Sequence, residues 1–437
     1  MDGVPVVNGA SSSDPTSAVP PGQRLMAGFP PAPSGQVTLA NWQDPPFSSW
    51  AFRHTREVIP THRIPGAGPA AIPVQPADRP GLTAAGSPVG SVTLTRLDGT
   101  AATLDDVLAS THTDAFVLLH DGRLVEERYG EGMAPHTPHL VMSVSKSLVS
   151  CVTAILAERG LLDPQDLVSR FVPEIGGSGY AGATLRHLLD MRTGVAFREA
   201  YTEPDAEVRV MERSMGWRPL TAGDPVGVYG YLATVRPDRP HGGGFTYRSA
   251  DTDLLGWVCE RAAGVRMADL ISELVWRPIG AEFDAELTCD PVGTAVHDGG
   301  VCATARDLAR FGQMLLDGGL VGAGTAAERR VVPASWLADA REGAPDSREA
   351  FATSDHAATM PGAWYRNKFW FIPGSNGTVL MCLGIHGQMV YVDFATRTVA
   401  VKLSCWPDAL DSAHLIDAIR AFGAVGAQLA GAPSPPR

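Results

Sequence analysis

The residues best placed to do chemistry are Ser143 and Lys146, in the run His139-Leu-Val-Met-Ser143-Val-Ser-Lys146-Ser-Leu-Val-Ser150-Cys-Val-Thr-Ala-Ile-Leu156. On a helix, residues three apart lie one turn apart on the same face. Val144, Leu148, Cys151, Val152 and Ile155 share one face, and Val141, Val149 and Leu156 cover much of the rest. An element this apolar is a core helix. Ser143, Lys146, Ser147 and Ser150 thread a narrow polar stripe through it. Burial disfavours an ammonium, so the Lys146 pKa is expected to fall, and a neutral amine can take the Ser143 proton. Ser143 also lies near the helix N-terminus, where free N–H groups favour a developing oxyanion. S-x-x-K recurs by chance, and a buried lysine held by a structural carboxylate would look the same. Composition favours the catalytic reading. Of 35 basic residues only Lys146, Lys368 and Lys402 are lysine. Arginine stays charged in any setting, whereas a buried lysine can serve as a base.

Two further segments bear on the same chemistry. In Gly242-Gly-Gly-Phe-Thr-Tyr247-Arg-Ser249-Ala-Asp251, Ser249 or Asp251 is expected to cap the helix that follows. Tyr247 precedes that cap on a glycine-led loop. A phenol beside a lysine ammonium has a stabilised phenolate and can shuttle a proton; the plainer reading is a tyrosine packed at a helix start. Cys382-Leu-Gly384-Ile385-His386-Gly387-Gln388 ends an apolar strand. Glycine there allows close backbone approach, and a main-chain N–H could join that of Ser143 in an oxyanion hole.

These residues need a scaffold, and the pattern of the chain predicts one. Residues 115–119 and 124–129 flank His120-Asp121-Gly122-Arg123 and read as a hairpin. Helices are expected over 141–159, 184–192, 304–317 and about 410–430, and strands over 378–385, 389–394 and 397–404. Strands near both ends with helices between imply an antiparallel sheet built from both termini around an inserted helical lobe. Residues 1–37 read as a mobile tail, 38–62 with two tryptophans as a segment packed on the body, and 63–90 as a surface wrap. No repeat of fixed period is present.

Composition sets the outer bounds. Of 437 residues 44% are hydrophobic and 19% charged, enough apolar mass to exclude wholesale disorder. A net charge of −12 without a basic stripe argues against nucleic acid and against an anionic membrane surface. No run approaches ~18 apolar residues, so no membrane span is expected. The N-terminus shows no secretion signal. Six cysteines without a C-x-x-C pair or metal spacing read as buried free thiols in a reducing, cytoplasmic setting, with no metal.

S-x-x-K, then Y-x-S, then a glycine-bearing terminal strand, in this order and at these separations, resembles the penicillin-recognising serine hydrolases: class C β-lactamases, D,D-peptidases and related esterases. Within them the chain is most similar to the 6-aminohexanoate-dimer hydrolases, the nylon-oligomer amidases. The segments carrying the likeness are 41–52, HLVMSVSKSL (139–148), ERSMGW (212–217), 302–319, GIHGQ (384–388) and VAVKLSCWPD (399–408), spanning about 40 to 425. The resemblance implies a two-lobed α/β fold of the β-lactamase/transpeptidase type: an antiparallel sheet flanked by helices, plus a helical lobe. The α/β lobe would take about 38–140 and 300–430, the helical lobe about 141–299, and a short tail 431–437. It implies Ser143 as nucleophile, Lys146 as base, Tyr247 as proton shuttle and Ser249 in support, with the N–H groups of Ser143 and Ile385 binding the oxyanion. Tyr201 would bond the scissile amide, Glu212 would grip a free substrate amine, and Trp217, His297 and Trp370 would line the pocket.

Departures are visible as well. Cys382 stands where β-lactamases carry a Lys or His for a substrate carboxylate, which argues against β-lactams as main substrates. His386 lies one residue past the presumed oxyanion N–H, and strand parity should turn it away. Glu212 is one methylene longer than the family's aspartate. The resulting expectation is a cofactor-free serine hydrolase of linear amides or carboxylic esters, acting on small molecules as a monomer or homodimer. A transacylase passing the acyl group to an amine, a carboxylesterase or weak β-lactamase, and a non-catalytic binding protein of the same fold are the alternatives.

Overall fold

A computed structural model describes residues 24–374 and 377–431. The hairpin forms as expected. Thr113–His120 (β1) and Arg123–Tyr129 (β2) pair antiparallel around Asp121 and Gly122, both at the positive φ that a tight hairpin turn requires. Five strands from the C-terminal part extend this sheet: Trp364–Arg366 (β3), Phe369–Gly374 (β4), Gly377–Gly384 (β5), Gln388–Asp393 (β6) and Thr398–Ser404 (β7). The order is β3-β4-β5-β6-β7-β1-β2, antiparallel throughout. The N-terminal hairpin therefore joins the C-terminal strands within one sheet, at β7 beside β1.

The central strands read as unbroken apolar runs because both faces of the sheet are covered. Ala115, Val117 and Leu119 face one core, with Val390, Val392, Val399 and Val401. Phe116 and Leu118 face the other, with Tyr391 and Ala400. Five longer helices matter here: Ser145–Glu158 (α1), Glu207–Ser214 (α2), Ala250–Ala263 (α3), Ala305–Leu316 (α4) and Ser412–Leu429 (α5). Thr304 caps α4 and Asp411 caps α5 through their side chains. α4 lies on the first face. Gly312 lets it approach, since a Cβ there would stand 2.6 Å from Val399 Cγ1. α5 covers the second face, with Phe422 ringed by Phe116 and Tyr391.

A second sheet escapes the periodicity argument. Its strands, Thr61–Ile64, Ala285–Thr288, Val301–Ala303 and His139–Leu140, are two to four residues long and come from distant parts of the chain. Runs this short carry no alternation signal. The last of them delivers the chain to Ser143. The segment 38–62 packs as expected: Trp42 is buried edge-on to Trp217 and donates from its indole Nε1 to Trp217 O at 2.6 Å. The mobile tail expected over 1–37 falls outside the described residues up to 23. Over 24–37 the chain is partly anchored, with Val37 buried and Leu25 and Met26 against the core while Phe29 is fully exposed.

Candidate active site

Ser143 occupies a single 3-10 turn, Met142–Val144, that runs straight into α1. Met142 has φ +48°, so the chain turns sharply as it leaves the short strand. Ser145 Oγ holds the turn from inside, donating to Met142 O at 2.7 Å and accepting from Val301 N at 3.0 Å. On α1, Ser147 and Ser150 donate to the carbonyls of Lys368 and Asn367. The polar stripe read from the sequence thus divides: two serines tie the helix to the β3–β4 turn, and Ser143 and Lys146 face the cavity side.

Lys146 Nζ lies 2.7 Å from Ser143 Oγ, 3.1 Å from Ser249 Oγ, 2.7 Å from Asp298 O and 3.5 Å from Asp298 Oδ2. It also sits over the Tyr247 ring, 5.3 Å from the centroid. An alcohol and an amine at this separation can exchange a proton. Tyr247 contacts Ser143 in turn, and its ring stacks on Trp370 at 5.3 Å. Ser249 does not cap α3 with its side chain. Its hydroxyl donates to Glu199 Oε1 at 2.6 Å and accepts from Lys146, and its N–H donates to Glu199 Oε2 at 3.0 Å. Asp251 does not cap α3 either; it accepts from Thr193 and Tyr180 instead.

The charge state departs from the sequence expectation. Burial works against the Lys146 ammonium, but Tyr247, Asp298, Glu199 and Asp253 together hold its pKa above the ordinary lysine value. Burial of the lysine came with a phenol and carboxylates from distant parts of the chain, and together they reverse the direction expected from burial alone. Tyr247 is also pushed up, by burial that outweighs the favourable influence of Lys146 and of the Ser143 hydrogen bond, so it rests as a phenol. Burial raises Glu199 too, against Lys146, Ser249 and Tyr201.

Ser143, Tyr201, Glu212, Trp217 and Ile385 line one cavity, of about 310 Å³ with its open mouth included. Gly384 ends β5 hard against the Ser143 turn: a Cβ there would stand 2.5 Å from Val141 O and 3.0 Å from Met142 Cβ. The Ile385 and Ser143 amides therefore border the same space, and neither donates to a backbone carbonyl among the described residues. Cys382 points into the core toward Ser147, and burial pushes its thiol up to about 12, so no cation arises at that position. His386 is turned away as expected, for a different reason. It lies in a 3-10 turn after the strand, at φ +58°, and its Nδ1 bonds Trp406 O at 2.8 Å.

Of the residues expected at the pocket, Tyr201, Glu212 and Trp217 line the cavity and His297 is corrected. His297 does not line the cavity. It is fully buried behind it, between Asp253 and Glu260, and these carboxylates raise its pKa to about 9 against the effect of burial. Its neighbour Asp298 lines the cavity instead. Trp370 stacks on Tyr247 and, like Tyr247, lies beside rather than among the residues bordering this cavity. Tyr201 lines it as expected; its hydroxyl donates to Glu199 Oε1 at 2.6 Å, which leaves the phenol oxygen able to accept from an amide N–H. Glu212 is already paired: Arg209 Nη1 at 2.6 Å and Arg218 Nε at 2.7 Å both donate to its Oε2.

Sequence reasoning missed Glu199, Asp298, Arg209 and Arg218. Asp298 carried a weak signal, preceding Gly299-Gly300, where chain can approach closely. Glu199 lies on an irregular loop and carried none. Among the described residues no cluster of His, Cys, Asp and Glu is arranged to hold a metal, and no helix is long and apolar enough to cross a membrane.

Fold and site together define an S-x-x-K serine hydrolase, and comparison with known proteins agrees. A profile of the Beta-lactamase family matches residues 101–422. The chain belongs to that family and is a serine hydrolase of amide or ester bonds. The 6-aminohexanoate-dimer hydrolase of Paenarthrobacter ureafaciens is 38% identical over 409 residues, 91% of this chain and 97% of that protein. A Bacillus anthracis structure provisionally named as a 6-aminohexanoate-dimer hydrolase superposes with a TM-score of 0.80 at 25% identity, over 91% of this chain and 98% of that one. EstCE1, described as a hydrolase with promiscuous acyltransferase activity, shares the fold at a TM-score of 0.55 and 17% identity, over 72% of this chain and 95% of its own.

Proposed function

We propose that this protein cleaves a linear amide or carboxylic ester through an acyl-Ser143 intermediate. The observation that carries the reading is the 2.7 Å separation of Ser143 Oγ and Lys146 Nζ at a cavity wall. The Lys146/Tyr247 pair, once it has lost one proton, takes the hydroxyl proton as Ser143 Oγ bonds the carbonyl carbon. The oxyanion meets the N–H groups of Ser143 and Ile385. Tyr247 passes the proton to the departing nitrogen or oxygen as the C–N or C–O bond breaks. Water then adds to the acyl carbon, its proton returns to the pair, and the acid leaves with Ser143 restored. Ser249 and Glu199 orient the lysine from behind. The substrate in the name of the Paenarthrobacter relative, a linear amide, supports this bond class. Six cysteines, unpaired in the structure, support a reducing compartment such as the cytoplasm. Incubation with a fluorophosphonate should add one adduct mass at Ser143 in the wild type and none in Ser143→Ala. A panel of amides, esters and β-lactams should show the first two turned over fastest. Labelling elsewhere, or full turnover by Ser143→Ala, would overturn the proposal.

A further inference from the structure

The cavity wall holds two carboxylates, Glu212 and Asp298, and each already has a cation. Asp298 touches Lys146. Glu212, with only 5% of its side chain exposed, has two guanidiniums on one oxygen. Both arginines are anchored elsewhere as well: Arg209 Nε donates to Tyr201 O at 2.9 Å, and Arg218 Nη2 donates to Gln43 Oε1 at 2.7 Å. Neither can swing aside without losing a second bond. The Arg209–Glu212–Arg218 cluster carries one surplus positive charge. An ammonium drawn to the free oxygen of Glu212 would face two guanidiniums against one carboxylate, in a place where water screens poorly. Nearby, the wall is hydrocarbon and thioether, from Val208, Met211, Met215 and Trp217.

We infer that the acyl group this cavity accepts is an uncharged aliphatic chain: Arg209 and Arg218 exclude a terminal ammonium by occupying Glu212, and an anion is disfavoured because the charged groups bordering the cavity are the Glu212 and Asp298 carboxylates, not the arginines behind them. Glu212 is then a structural counter-ion for the arginines, and this sets the chain apart from a site built to hold an ω-amino acid. The inference deepens the hydrolase reading and rests on it for the kinetic half of its test.

The test pairs binding with turnover. Calorimetry on Ser143→Ala would compare the N-butyl amides of hexanoic, 6-aminohexanoic and adipic acids. Wild-type kcat/KM would be measured on the p-nitrophenyl esters of hexanoic and 6-aminohexanoic acids. The hexanoyl compounds should win by at least about tenfold in both arms, and Arg218→Gln should narrow the gap at least about threefold while Arg218→Lys keeps most of it. Equal or better use of the 6-amino compounds by the wild type overturns the inference, as does tightest binding of the adipic amide or failure of all three amides to bind. A preserved binding order with no ester turnover upholds it and removes the hydrolase reading instead. The wild-type comparison needs no arginine variant to fold.

Discussion

Replacing Glu199 with glutamine should move the acid limb of kcat/KM to lower pH. Glu199 reaches Lys146 through one serine: Nζ to Ser249 Oγ is 3.1 Å and Ser249 Oγ to Glu199 Oε1 is 2.6 Å. The two charges are therefore no more than about 6 Å apart, which at an effective dielectric near 20 is worth roughly 2.8 kcal/mol, or about two pH units. Burial holds Glu199 itself above its ordinary pKa, so its charge is only partly present in acid, and a shift of about one to two units is expected. The sign follows from the proton count. The active form of the Lys146/Tyr247 pair has one proton fewer than its resting form, and a neighbouring anion favours the extra proton. Removing the anion makes deprotonation easier, so activity persists at lower pH. Glutamine can still accept from the Ser249 hydroxyl but sets its NH2 against the Ser249 N–H, so the pH limb, not the plateau, reports the charge. The assay is kcat/KM for an activated ester from pH 5 to 10, which reports ionisations of the free enzyme. Ser249→Ala, which breaks the bridge and keeps the charge, should lower the plateau and leave the limb within about half a unit. An unmoved limb in Glu199→Gln, or one displaced to higher pH, would refute the assignment of the pair as base.

Three other outcomes can be checked separately. Lys146→Arg should lose about 10³-fold or more in kcat/KM for esters, because a guanidinium does not give up a proton in the accessible pH range; near-normal rates would contradict the base role. Gly384→Ala places a Cβ 2.5 Å from Val141 O, so β5 must back away from the Ser143 turn; ester kcat should fall about 100-fold or more, with a small change in KM, by steady-state kinetics. His297, raised to about 9 by Asp253 and Glu260 against burial, contributes stability that is complete below its ordinary pKa and lost as pH rises through 9; urea unfolding should show lower stability at pH 9.5 than at pH 6, and His297→Gln should reduce the difference, with the coupled Asp253 keeping part of it.

Much of this protein was legible along the chain because the signals are local. The hairpin at Asp121-Gly122, α4 behind Thr304 and the three terminal strands announce themselves by turn residues, a cap and runs of β-branched side chains. The pairing of Ser143 with Lys146 is local as well, since three residues of helix place both on one side. The short second sheet was not legible, because strands of two to four residues leave no period to detect. The charge state of Lys146 was not legible either. An apolar helix predicts a lowered lysine pKa, yet Tyr247, Asp298 and Glu199 come from more than fifty residues away and reverse the direction.

The twenty or so residues around Ser143 and Lys146 sufficed to name a candidate nucleophile and base, because the two share one helical turn and need nothing distant to bring them together. What the cavity accepts was decided by the fold. Arg209 and Arg218 lie three and six residues from Glu212, so the ion pairs themselves are local, but Gln43, which anchors the second guanidinium, comes from 175 residues away and only packing delivers it. A side chain's charge is written in its own residue, but whether that charge is free to meet a ligand depends on neighbours that only the tertiary arrangement assembles.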